Sequence, residues 1–243
     1  MSNPPSGYTP RPMSSRTTYA LGAVAVVLVA LIVVFAYRSG SGGGEVRNDG
    51  YGTVRNEAVV SAVEDNGAVL LGRPDAAKTL EVFEDAICPG CGSLEHLYGQ
   101  EIAQKIDEGK LAVRYRFVNA LDAQSDTGDY SSRAIAALHC VADTGSGITF
   151  AKFHDTLLTD RRPDEGASLD DQELLDLATE SGADDTARNC VTAAHHEAAH
   201  TDGAAALDDL KARLGDEAAT PAVFDADTKI DVNESDWVQQ LAP

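Results

Sequence analysis

Two thiols three positions apart, in Cys88-Pro89-Gly90-Cys91, fall where a strand-like alternation over Lys78 to Phe83 has ended and a helical pattern begins at Pro89. At a helix start the first thiol lies beside backbone N–H groups that lack intrahelical acceptors, at the positive end of the helix dipole, and both favour a thiolate. Cys88 is then the exposed, low-pKa nucleophile, and Cys91, one turn further in, attacks the mixed disulfide to complete exchange. The same spacing supplies half of a zinc site. Zinc usually draws on a second such pair or on nearby histidines, and Cys140 and Cys190 form no second pair. A strand before and a helix after favour thiol-disulfide exchange.

Cys140 and Cys190 fit a structural disulfide joining two helices, one of three connectivities open to four cysteines. The alternative is two unrelated buried thiols; a bridge implies an oxidising compartment. A rival chemistry is spelled by His196-Glu197-Ala198-Ala199-His200, which on a helix puts two histidines on one face with Glu197 as a base for zinc-assisted hydrolysis. The segment is alanine-rich and no downstream motif supplies a third ligand. The histidines, with His195 beside them, therefore read as a solvent-facing helix surface, and no metal site is expected.

The elements around the thiols follow in order. A hairpin, Ala58 to Val63 and Ala68 to Leu71, turns at Asp65-Asn66-Gly67. The strand Lys78 to Phe83 precedes a helix from Pro89 to about Glu108, with Leu94, Leu97, Ile102 and Ile106 roughly on one face. Leu111 to Val118 alternates again, so strand, helix and strand suit a right-handed βαβ unit. From about Asp129 to Leu214 helical patterns run on: Ser131 to Val141, Thr149 to Leu158, Gln172 to Thr179 and an alanine-rich stretch. Strand patterns return in Ala222-Val223-Phe224 and Lys229 to Val232, before a short helix at Ser235 to Leu241. The order is βαβ, helices, ββα.

The chain of 243 residues is 43% hydrophobic and 24% charged, an ordinary globular composition except at its start. Ala20 to Ala36 is apolar or small without a charge, flanked by Tyr19 and Tyr37, and predicts one transmembrane helix over 19–37. Residues 1–18, rich in proline and serine, predict a disordered cytoplasmic tail, and residues 38–56, with Ser39 to Gly44 built of serine and glycine, a flexible linker of roughly 25 Å. Arg11 and Arg16 before the helix barely outweigh Arg38 and Arg47 after it. The cysteines decide the orientation: a single-pass protein of the cell membrane with its C-terminal domain extracytoplasmic. A net charge of −20, with all 39 acidic residues beyond position 40, argues against nucleic acid as a partner.

Gly72, Pro74, Asp75 and Ala76, then Phe83, Asp85 and Cys88-Pro89-Gly90-Cys91, resemble the opening of DsbA-like proteins. The resemblance covers roughly residues 57–241. It implies an α/β, thioredoxin-like fold with an inserted helical domain, here about 120–214, and a cis-proline loop facing the disulfide, here Thr220-Pro221. In such proteins that loop offers backbone hydrogen bonds to an extended substrate, so Thr220 and Pro221, with Pro89 and Gly90 between the cysteines, would bind substrate while Cys88 and Cys91 do the chemistry. The implied activity is insertion of disulfides into unfolded exported proteins with free thiols. Reoxidation would fall to a quinone-linked membrane oxidase similar to DsbB or to vitamin K epoxide reductase homologues, since this chain shows no cofactor motif. One departure concerns direction: the family's best-known oxidants have His where this chain has Gly90, which keeps an isomerase or reductase open as the alternative.

Overall fold

The computed structural model describes residues 45–163, 167–193 and 196–243. The apolar run predicted to span a membrane, the tail before it, the start of the linker and His195 lie outside those residues. Among the described residues no helix is long and apolar enough to cross a membrane.

Six strands form one sheet in the order β1-β2-β4-β3-β5-β6. The hairpin of β1 (Val60–Val63) and β2 (Val69–Gly72) turns at Gly67, whose φ of 74° is open to glycine at little steric cost, and the Asn66 side chain accepts from the Ala68 N–H at 3.1 Å. β3 (Lys78–Glu84) pairs in parallel with β4 (Leu111–Phe117), and α1 (Pro89–Asp107) makes the crossover. Pro89 starts α1 where its missing N–H removes no helical bond. Leu94, Tyr98, Ile102 and Ile106 bury one face; Tyr98 takes a place expected for Leu97, which is only partly buried. Gly109, at a φ of 73°, ends the helix and donates to the Ile106 carbonyl.

The central strands sort their residues by parity. Leu80 and Val82 of β3, with Val113, Tyr115 and Phe117 of β4, join the core that α1 and the inserted helices cover. Phe83 points the other way, into a second cluster with Val118, Ala222, Phe224 and Leu210. Arg116 shares that face. It is held by Glu81 and Asp209 at 3.1 Å each, which satisfies a charge the packing would otherwise strand.

The insertion comprises α2 (Tyr130–Ala142), α3 (Gly147–Leu158), α4 (Asp171–Ser181), α5 (Asp185–Thr192) and α6 (His196–Leu214). The chain then returns through β5 (Ala222–Asp225) and β6 (Thr228–Lys229) to α7 (Trp237–Leu241). β6 is shorter than the alternation at Lys229 to Val232 suggests, although Ile230 still donates to the Val223 carbonyl.

The linker boundary needs correcting. Residues 45–56, expected to be flexible coil, lie along α1 as a strap. Arg47 donates from its backbone to the Leu97 carbonyl at 2.8 Å, Tyr51 Oη to Asp107 at 2.8 Å, and the backbone N–H groups of Arg55 and Asn56 to the same carboxylate. Val54 is buried. Composition alone favours coil here, but the buried acceptor at Asp107 and the apolar seat for Val54 fix the segment.

Cys140 on α2 and Cys190 on α5 are joined by a disulfide across a sequence separation of 50. Closing a loop of that length restricts the unfolded chain by about 4 kcal/mol in the chain-entropy treatment. Replacing both cysteines with alanine is expected to lower unfolding stability by up to that amount in urea titrations of the oxidised protein. An unchanged midpoint would show that the bridge adds nothing to the fold.

Candidate active site

Cys88 occupies the N-cap of α1, with extended backbone (ψ 118°), while its own carbonyl accepts from the Cys91 and Gly92 N–H groups. Its thiol donates to the Thr220 carbonyl at 3.4 Å. The Cys91 thiol, opposed by burial and aided by the Thr220 side chain and the Cys91 and Gly90 backbone N–H groups, pulls the Cys88 pKa down to about 6. Cys91 behaves oppositely. Burial pushes its thiol up well above the ordinary range, and the neighbouring Cys88 and the charge of Glu84 push the same way. Both cysteines are free thiols here. Cys88 is less open than expected, at 7% exposure, because the Thr220-Pro221 loop closes over it.

The Thr220-Pro221 peptide is cis. Pro221 lies so near the active-site turn that a Cβ on Gly90 would lie 2.9 Å from the proline Cδ. Any side chain at position 90 would have to displace the loop or tilt the turn. Of the four positions expected to contact substrate, Thr220 meets the Cys88 sulfur through its carbonyl, Gly90 lies beside it, Pro221 approaches Gly90, and Pro89 follows Cys88 in the chain.

Beneath this surface lie carboxyl groups that set the turn. Asp85 is fully buried; its carboxylate accepts from the Ile87 N–H (3.1 Å), the Ser131 hydroxyl (2.6 Å) and the Leu121 N–H (3.0 Å), tying the β3–α1 turn to the β4–α2 connection. Burial pushes its pKa up to about 6 against those three donors. Next to it, Glu84 Oε2 lies 2.8 Å from His154 Nε2 on α3, and His154 Nδ1 lies 3.9 Å from Glu95 Oε2 on α1. Burial works against charge on His154, but Glu84, then Glu95 and Asp155, outweigh it and raise the imidazole to about 9. Burial likewise pushes Glu95 up to about 7, with His154 pulling the other way.

The sequence pattern of the thioredoxin family matches residues 64–241. The chain belongs to that family. It is also 34% identical over 180 residues to the serine/threonine-protein kinase PknE of Mycobacterium tuberculosis, an overlap of 72% of this chain and 31% of the kinase. The chain therefore spans about a third of the length (31%) of the curated relatives it matches. Among solved structures, MdbA of Corynebacterium diphtheriae, a thiol-disulfide oxidoreductase, superposes with a TM-score of 0.67 at 24% identity, covering 77% of this chain and 95% of that one. The reduced form of the disulfide bond oxidoreductase DsbG of M. tuberculosis gives a TM-score of 0.59 at 26% identity, covering 74% and 91%.

In this thioredoxin-family site residue type and spacing pointed to the thiols, and the resemblance to the proline loop, but neither to the layer below. Glu84, His154 and Glu95 carried no motif. The only sign was a lone histidine among Phe150, Phe153 and Leu157 on an apolar helix face, which more often marks a satisfied core residue than a working one. The His-Glu-x-x-His segment sits in the first turns of α6. There His196 Nε2 lies 3.8 Å from Asp171 and the His200 carbonyl accepts from the Asn119 side chain, and among the described residues no group of three or more His, Cys, Asp or Glu is placed to hold a metal.

Two measurements test this geometry. Alkylation of the reduced protein should modify Cys88 and spare Cys91, with the rate titrating at a midpoint near pH 6. A midpoint in the ordinary thiol range, near 8.5, would remove the assigned stabilisation of the thiolate. Since the folded value lies below the unfolded one, the thiolate stabilises the reduced fold fully above the ordinary thiol range, and that stabilisation is lost as pH falls through about 6. For Gly90→Ala, a stability loss of about 1–3 kcal/mol in urea titrations is expected from the close approach of Pro221; a neutral substitution would mean the loop yields freely.

Proposed function

We propose that this chain is an extracytoplasmic thiol-disulfide oxidoreductase that introduces disulfides into exported proteins, held at the membrane by its N-terminal apolar segment. The observation that carries the reading is the asymmetry of the pair: Cys88 has a lowered pKa and faces the Thr220 carbonyl, and Cys91 is buried behind it with a raised one. The names borne by the solved neighbours, a thiol-disulfide oxidoreductase and a disulfide bond oxidoreductase, support the same chemistry.

In the oxidised enzyme a substrate thiolate attacks the Cys88 sulfur, forming a mixed disulfide as the Cys88–Cys91 bond breaks and its electron pair leaves on Cys91. A second substrate thiolate then attacks the substrate's own sulfur, closing the new disulfide and releasing Cys88 as a thiolate. The low pKa makes Cys88 a good leaving group. Thr220 and Pro221 offer their backbone edge to an extended client. Two electrons now reside on the enzyme, and a quinone-linked membrane oxidase of the DsbB or vitamin K epoxide reductase type would remove them.

A second reading, isomerase or reductase, is favoured by Gly90. Without a side chain there, only backbone N–H groups, Cys91 and Thr220 hold the thiolate, and a less stabilised thiolate makes a less oxidising disulfide. The test is the reduction potential of the Cys88–Cys91 pair, by equilibration of the full chain with glutathione while Cys140 and Cys190 are followed separately. A value of about −120 to −180 mV is expected for a net oxidant. One near about −270 mV would replace the oxidase by the reductase, and absence of any reversible equilibrium at this pair would end the exchange reading altogether.

A further inference from the structure

Where α3 ends, the chain doubles back over the start of α1. The Arg161 N–H donates to the Thr156 carbonyl at 2.8 Å and Pro163 is buried, which fixes Arg162 between them. Arg162 Nη1 donates to the carbonyl of Ile87, the residue before Cys88, at 3.3 Å. Its stem crosses α1 at Gly92, where a Cβ would lie 3.1 Å from Arg162 Nε and 2.6 Å from the Leu158 carbonyl oxygen, so only glycine leaves the arginine this path.

These elements enclose an open groove of about 280 Å³, with Pro89, Ser93 and His96 of α1 on one wall and Thr159, Asp160 and Arg162 on the other. It starts at Pro89, next to Cys88, on a side that neither Thr220 nor Pro221 lines. Just below the roughly 300 Å³ at which small-molecule sites begin, it takes one side chain of a peptide bound at Cys88. Charge decides which. With 39 acidic residues against 19 lysines and arginines, nearly every arginine finds a carboxylate: eight of the ten described have one within 4.0 Å. Of the other two, Arg55 lies over the Tyr51 ring at 3.9 Å. The second is Arg162. Among the described residues it forms no ion pair, although Asp160 shares the groove, and the bond to the Ile87 carbonyl leaves most of its N–H donors unused.

We propose that this groove is a client subsite in which Arg162 binds the side-chain carboxylate of an Asp or Glu lying within about three residues, or roughly 10 Å of extended chain, of the client cysteine that joins Cys88. The inference rests on the exchange reading above and names part of its substrate class. A guanidinium receives a carboxylate through two parallel N–H···O bonds, and this one is already anchored to the Ile87 carbonyl, so little freedom is lost on binding. The contact is the same before and during sulfur transfer. It therefore tightens binding of the client without speeding the exchange itself. It also acts at one position only: the chain is acidic overall, and a client carboxylate placed elsewhere meets repulsion rather than a partner. Asp160 opposes the carboxylate within the groove and limits the preference. Arg162 meets the backbone before Cys88 rather than its sulfur, and is a specificity residue.

The test compares matched clients. Oxidised full chain is mixed in single turnover with reduced two-cysteine peptides, blocked at both ends so that a side chain supplies the only carboxylate. The peptides carry Glu or Gln at one position, moved stepwise along both sides of the first cysteine, and their oxidation is followed by mass against peptide concentration. At the fitting position Glu is expected to lower the half-saturating concentration about tenfold relative to Gln, the lower end for a hydrogen bond to a charged group, with the saturating rate unchanged within about twofold. In Arg162→Gln the two peptides should become equivalent, and Arg162→Lys, a point charge without the planar fork, should keep part of the difference. No Glu advantage at any position in the unaltered chain overturns the proposal. So does an advantage that persists in Arg162→Gln, since a residue that merely braced the Ile87 carbonyl would change both peptides alike and leave their ratio intact. Should Arg162→Gln fail to fold, Asp160→Asn, at an exposed position, decides: it should widen the advantage about threefold, and an unwidened one overturns the proposal equally. Failure of the Cys88–Cys91 pair to oxidise any peptide would bring down the exchange reading itself, whereas equal oxidation of all of them strikes the subsite alone.

Discussion

The chain leaves β3 at Glu84, inside the sheet, and four residues later must present a sulfur at the mouth of a helix. Asp85 makes that turn possible. Its buried carboxylate gathers the Ile87 N–H, the Leu121 N–H and the Ser131 hydroxyl, so one side chain satisfies donors from the β3–α1 turn, the segment after β4 and the first turn of α2. Each of those donors would cost about 1–3 kcal/mol if buried without an acceptor. The N-cap position of Cys88, the approach of Thr220 and the depth of Cys91 all follow from where this turn is pinned.

A second consequence is a division of labour between the two faces of α1. Its first turn meets the Thr220-Pro221 loop, where backbone edges and Gly90 leave little but main chain near the sulfur. Further along, Glu95, Gly99 and Gln100 face the strap and α3, where polar groups and a cavity of about 100 Å³ gather. Sulfur chemistry needs both: a surface that admits a peptide, and an interior that accepts changes of charge without exposing Cys91.

Much of this could be anticipated from the order of residues. The βαβ unit, the helical insertion and the return of strands after Thr220 follow from local periodicity, because each element buries one face and repeats its apolar residues accordingly. The thiol pair was legible because its chemistry depends on residue type and spacing, whereas the cis-proline loop was expected only from the family resemblance. What escaped depends on tertiary context. Residues 45–56 look like linker by composition, and contacts distant in sequence, the buried Asp107 carboxylate and the apolar seat of Val54, explain why they adhere to α1. Likewise nothing near His154 announces that Glu84, 70 residues earlier, lies within hydrogen-bonding distance. Tyr98 replaces Leu97 on the buried face of α1 because its ring packs edge-on against Trp237, and its hydroxyl reaches the Val232 carbonyl; both lie in the last strand-and-helix segment.

The covalent bridge between α2 and α5 closes a ring of chain that contains all of α3 and α4. That ring carries Leu158, which roofs Cys91, and His154, which partners Glu84. Part of the wall of a redox site is therefore itself held by a redox-sensitive bond. Surroundings reducing enough to open the ring would slacken the shelter of Cys91 as they drain electrons into the Cys88–Cys91 pair. Newly synthesised chain, still unbridged, would be a poorer machine than its matured copy.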